Sequence, residues 1–169
     1  MPESDRVVRT IAVAVDPATA FEVFTDRIDA WWRPGPYSWH DASRAVGRRF
    51  EPWVGGRFVE VWDRATGEGY DEGRILVWEP PRRLVFTFRA LAEPDEPETE
   101  VDVRFEPEAD GTRVTLEHRG LDRLSPERAA RRRSGKGFGI MLAWFGDYLA
   151  GGVPVPVEVG EPRRTLTRT

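Results

Sequence analysis

The chain has 169 residues, 40% hydrophobic and 32% charged, with 7 Trp, 2 His, no Cys and a net charge of −4. That is one ordinary domain with enough apolar and aromatic mass to bury a core, which excludes global disorder. The missing Cys exclude disulfides, zinc ribbons and iron–sulfur clusters, the mild acidity gives no footprint for nucleic acid or an anionic membrane, and no run approaches the ~20 apolar residues of a membrane span.

Met1 to Arg6 is polar and carries no signal-peptide core, so a soluble cytoplasmic protein is expected. Val7, Ile11, Val13 and Val15 share one parity and predict a first strand covered on one face. Asp16-Pro17 is a cap followed by Pro at the first helical position, and Phe21, Phe24 and Ile28 follow at helical spacing. A pair of short helices is expected up to about Trp32, where Pro34-Gly35-Pro36 stops it. From Phe50 the period becomes two. Gly55-Gly56 predicts a hairpin turn before the strand Arg57 to Trp62, and Asp63 to Asp71 reads as the next turn. Gly73 to Glu79 is a strand ended by Pro80-Pro81, and Leu84, Phe86 and Phe88 mark another. After an acidic loop from Ala92 to Glu98, Val101, Val103 and Phe105 lead to the turn Ala109-Asp110-Gly111. Thr112, Val114, Leu116 and His118 share the inward parity of the last strand. Ser125-Pro126-Glu127 opens an Arg-rich helix that Gly135, Gly137 and Gly139 interrupt. Phe138, Met141, Leu142, Phe145 and Leu149 then make one stripe at a 3.6 period, ended by Gly151-Gly152.

An antiparallel sheet with an apolar face needs a cover, and the apolar helix at the end is the one available. The predicted class is therefore α+β, a helix-grip sheet of six or so strands wrapped around a long C-terminal helix, with two short helices after strand 1. Residues 1–152 form the domain. Residues 153–169 are expected to be a flexible tail, or an arm whose alternating Val153, Val155, Val157 and Val159 add to a second subunit in a homodimer.

Four blocks carry a resemblance. They are Asp16-Pro17-Ala18-Thr19-Ala20-Phe21 with Thr25-Asp26 and Trp31-Trp32, then Gly55-Gly56-Arg57-Phe58-Val59-Glu60, then Gly73 to Leu84, then Gly111 to Gly120. From about Val7 to Leu149 the chain resembles the SRPBCC, or START-like, superfamily, whose fold is also that of the birch-pollen allergen. The branch it is most similar to is the C-terminal domain of the activator of the heat-shock protein 90 ATPase. The resemblance implies a fold that hosts lipid carriers, aromatases and cyclases, hormone receptors and co-chaperone domains. Where that branch opens its last helix with Gly-Trp, this chain has Gly137-Phe138, and the smaller aromatic is expected to enlarge the cavity.

The expected function is to hold an apolar or amphipathic small molecule between sheet and last helix. The alternatives are a co-chaperone-like interaction domain with a chaperone partner, and a cyclase- or aromatase-like enzyme using the same cavity. Trp31, Trp32 and Trp39 flank a Pro/Gly loop, and Phe58, Glu60 and Trp62 share one strand face. With Phe86, Phe88, Phe138, Met141, Leu142 and Phe145 these are the candidate lining, and Glu60 and His118 are its polar contacts and weak acid–base candidates. Core packing is the competing account for most of the Trp, and an ion pair with a nearby Arg is the one for Glu60. No metal or cofactor is expected, because neither His stands at ligand spacing and the glycine run at 135–139 lacks the preceding strand a phosphate loop needs.

Overall fold

The structure is a computed structural model and describes residues 5–33, 39–89, 96–134 and 139–151. The elements are β1 (Arg6–Val13), α1 (Pro17–Thr25), α2 (Ile28–Trp31), β2 (Gly47–Phe50), β3 (Arg57–Asp63), β4 (Glu68–Glu79), β5 (Arg83–Phe88), β6 (Thr99–Glu108) and β7 (Gly111–Arg119). A 3-10 turn at Leu121–Arg123 leads to α3 (Pro126–Arg133) and α4 (Gly139–Leu149). The strands form one antiparallel sheet in the order β1-β7-β6-β5-β4-β3-β2. This is the α+β helix-grip class: a curled sheet with its helices against the concave side.

Local chemistry sets the boundaries. Asp16 accepts the Thr19 N–H at 2.9 Å and Pro17 follows, so α1 starts with a satisfied cap. Ser125 and Pro126 repeat the device at α3. The core lies between α1, α2, α4 and the concave face. Phe24 is its centre, with ring centroids 5.1 Å from Trp31, 5.2 Å from Phe145 and 5.7 Å from Phe105. Met141, Leu142 and Phe145 of the α4 stripe are buried in it. On the opposite face, Asp102 is covered by Arg83, Arg104 and Arg119, which hold it at 2.8, 3.1 and 3.0 Å. That ladder lets a solvent-side row of charges shield the middle of the sheet.

Three elements differ from expectation. β4 begins at Glu68 and runs twelve residues, so Gly69 to Asp71 are strand rather than turn. Backbone approach explains the glycine there: a Cβ on Gly69 would lie 1.9 Å from the Glu60 carbonyl oxygen. The strand expected at Phe50 to Trp53 lies earlier, at Gly47–Phe50, and Glu51 to Gly55 are turn. The C-terminal helical region is two helices, an Arg-rich α3 and an apolar α4 of eleven residues. The expected tail, 153–169, and Phe138 lie outside the described residues. No described helix is long and apolar enough to cross a membrane.

Candidate functional site

Directly opposed residues of antiparallel strands share a face, so the register shows what points inward. Phe50 faces Phe58, Arg48 faces Glu60, and Glu60 faces Tyr70. Phe50 and Phe58 stack at 4.5 Å inside the core, which places Arg48 and Glu60 on the concave side. Phe58 pairs with Gly73 while Val59 pairs with Asp71, so Glu72 is the extra residue of a β-bulge. The bulge aims Glu72 at Arg48: Nη1 of Arg48 donates to Glu72 Oε1, and its Nη2 lies 3.7 Å from Glu60 Oε1. The three side chains are 0–2% exposed.

The surroundings are aromatic. The Arg48 guanidinium carbon sits 4.3 Å from the Trp32 ring centre, 5.3 Å from Trp39 and 5.6 Å from Phe58. Glu60 accepts three N–H groups: His40 backbone at 2.6 Å, Asp41 backbone at 3.0 Å and Trp62 Nε1 at 2.8 Å. Glu72 is left with Arg48. Burial, and the neighbouring Glu60 charge against the pull of Arg48, push the Glu72 carboxyl up to about 7. It therefore exchanges a proton near neutrality, the range useful to a general acid or base. Trp32 Nε1 and Trp39 Nε1 are buried with no hydrogen-bond partner among the described residues. A fixed cation, a protonatable acid and two indole donors in an aromatic wall together suit the oxygen substituents of a planar molecule.

His118 lies in β7, with β6, β5 and β4 between it and Glu60 in β3. The structure does not join the two: His118 Nε2 is 2.7 Å from Thr99 Oγ1, whose hydroxyl donates to Phe88 O at 3.2 Å. Burial, then the Arg132 charge, push His118 down to about 3, so it is neutral and far from acid–base use at physiological pH. Arg132 reaches Glu96 at 2.7 Å beside Phe88, a separate buried cluster under α3.

The remaining candidates divide by setting. Trp31 is a core pillar whose Nε1 donates to Val23 O at 3.0 Å. Phe58, Phe86, Met141, Leu142 and Phe145 are buried core. Trp32, Trp39, Trp62 and Phe88 are half-buried around them. Arg48, Glu72, Tyr70 and His40 were missed. Arg48 has a signal in hindsight, since it shares parity with Phe50; Glu72 has none, because the bulge breaks the alternation. Among the described residues, no three His, Asp or Glu side chains converge to hold a metal ion.

A family model described as Activator of Hsp90 ATPase homolog 1-like protein matches residues 14–150. No curated protein matches the chain. Among solved structures, the anthrahydroquino-gamma-pyrone synthase Txn09, complexed with the molecule designated SUM, is 34% identical with a TM-score of 0.55, over 85% of this chain and 97% of Txn09. Protein NE0264 of Nitrosomonas europaea is 18% identical with a TM-score of 0.63, over 89% of this chain and 97% of its own. CalU16 of Micromonospora echinospora is 22% identical with a TM-score of 0.61, over 86% and 76%. The last two support the fold alone.

Proposed function

The chain belongs to the family of Activator of Hsp90 ATPase homolog 1-like proteins, and from that premise we propose that it binds a planar, amphipathic small molecule on the concave side of its sheet. The observation that carries this is the buried Arg48–Glu72 pair within an aromatic wall. A buried ion pair adds little to stability over apolar packing of the same volume, so a core that contains one is spending stability on something else. Rings supply contact area by stacking, and oxygen substituents take the Arg48, Trp32 and Trp39 donors. The likeness to Txn09, a synthase of an anthrahydroquino-gamma-pyrone, supports a polycyclic aromatic ligand. The half-buried Trp32 and Trp39 form the rim and the α4 stripe the floor.

The test is calorimetric titration of alizarin, a dihydroxyanthraquinone, into the wild type and the double variant Arg48→Met/Glu72→Gln. The double change removes the ion pair without stranding either partner. Affinity is expected to fall by ~1–3 kcal/mol, the worth of a charged hydrogen bond. No saturable binding by the wild type, or equal affinity in both proteins, contradicts the proposal.

A catalytic reading has one observation of its own: Glu72 sits near pH 7, where it can give and retake a proton at a ligand carbonyl. Turnover of an anthrahydroquinone precursor, inflecting near pH 7 and lost in Glu72→Gln, distinguishes enzyme from carrier. The chaperone alternative rests on exposed Trp53, Val54 and Leu76 around the β2–β3 turn. Trp53→Ser would abolish chaperone binding and leave alizarin binding unchanged.

A further inference from the structure

Segment 39–45 crosses the polar end of the concave face and places the Trp39 ring over Arg48. Besides that ring contact and the buried Ala45, its inner hydrogen-bonded attachment among the described residues is one carboxylate. Glu60 Oε1 takes the His40 N–H and Oε2 takes the Asp41 N–H, two consecutive backbone donors on a fully buried acceptor. Such charge-assisted bonds are about twice as strong as neutral ones. Trp62 Nε1, donating to Oε2, fixes the rotation of the carboxylate. The outer attachments are at the surface: His40 stacks on Tyr70 at 4.2 Å, and Arg44 lies 3.8 Å over Trp62 while bonding Asp41 at 2.7 Å. Exposed contacts of this type are worth little. Beyond them the chain is secured as strand, with Val46 N donating to Val61 O at 2.8 Å.

With this segment in place, the Arg48 and Glu72 side chains are 2% and 1% exposed, so little of either is open to a ligand. A planar ligand that lies against Arg48 must take the place of the Trp39 ring of this segment. The closed position also leaves Trp39 Nε1 buried without a partner among the described residues, a standing penalty that a ligand acceptor would remove. Glu60, by contrast, already accepts three N–H groups from the segment and Trp62.

We propose that residues 39–45 are a strap over the Arg48–Glu72 pair, and that Glu60 is its clasp. Glu60 is then a positioning residue, controlling admission of the planar aromatic ligand rather than touching it. This rests on the ligand-binding function proposed above.

Two measurements on Glu60→Gln test it. The carboxamide has one acceptor oxygen where the carboxylate has two, so it cannot hold both N–H groups. Amide hydrogen exchange in the free protein is expected to quicken about tenfold or more at His40 and Asp41, as loss of a charged hydrogen bond implies, while Val46 is unchanged. Stopped-flow mixing with alizarin is expected to show association and dissociation both faster. Unchanged exchange at His40 and Asp41 overturns the clasp. Faster exchange with an unchanged association rate overturns the control of admission. His40→Ala, which removes the outer stack, is expected to have the smaller effect; a larger one than Glu60→Gln would assign the fastening to the surface and overturn the proposal. If Glu60→Gln does not fold, Trp62→Phe frees the same carboxylate and is expected to accelerate the same two amides. Failure of the wild type to bind alizarin would sink the ligand function and the admission role with it, and the exchange data would still decide the clasp.

Discussion

Glu72 and His118 are both buried on the concave face, yet their surroundings drive them in opposite directions. Glu72 is raised from an ordinary 4.5 to about 7 by burial first. The proton on Glu72 is held by the folded protein but not by the unfolded chain between those values, so its contribution is fully present below 4.5 and is lost as pH rises through about 7. His118 is lowered from 6.5 to about 3, again by burial first. Its contribution is present above 6.5 and is lost as pH falls toward 3. Urea midpoints from pH 4 to 8 should therefore fall at both ends. Glu72→Gln should flatten the alkaline side, by up to about 3 kcal/mol. His118→Phe should flatten the acid side. A Glu72→Gln protein that keeps the alkaline fall would place that titration elsewhere. Arg48 gives a second residue-scale expectation. Arg48→Met alone leaves Glu72 buried beside Glu60 without its cation and should cost ~3–5 kcal/mol at pH 8, whereas Arg48→Met/Glu72→Gln should recover most of it. Strict additivity of the two changes in denaturant melts would mean the pair does not interact.

At the scale of elements, α4 anchors the fold through one stripe. Phe145 is fully buried, 5.2 Å from Phe24 and 5.3 Å from Trp31. Phe145→Ala should destabilise by ~3–5 kcal/mol in a denaturant melt; a loss below 1 kcal/mol would mean the stripe carries little of the core. The stripe, the α1 cap and the period-two strands were legible because each is a local pattern with one buried face. What was not legible has a physical reason in each case. Gly67 and Gly69 read as turn, yet only Gly67 turns; Gly69 is a strand residue pressed against the Glu60 carbonyl. The glycines at 135–139 predict an interruption, and the helical segments on either side are α3, ending at Arg133, and α4, Gly139–Leu149. Strand parity correctly turned Glu60 inward, since Phe58 and Glu60 are both fully buried. It could not reveal that the partners of Glu60 are backbone N–H groups of a loop twenty residues earlier, which no side-chain pattern encodes.

Over the whole molecule, the order of strands and helices was enough to identify the helix-grip class, because a one-faced sheet followed by one apolar helix has few ways to close. The site was harder. Its cation comes from a four-residue strand, its acid from a bulge, and its aromatic wall from the residue that caps α2, from β3 and from the loop before β2, so it exists only after the sheet has curled. The central claim is that this assembled patch receives a planar aromatic ligand. Indole N–H resonances report on it most directly, each assigned by Trp→Phe substitution and followed by NMR as alizarin is added. Trp32 and Trp39 should shift saturably and together, since their rings flank Arg48 and their Nε1 atoms lack partners among the described residues. Trp53, half-exposed on the far β2–β3 turn, should stay fixed. Shifts confined to Trp53, or no saturable change at Trp32 and Trp39, would contradict the account.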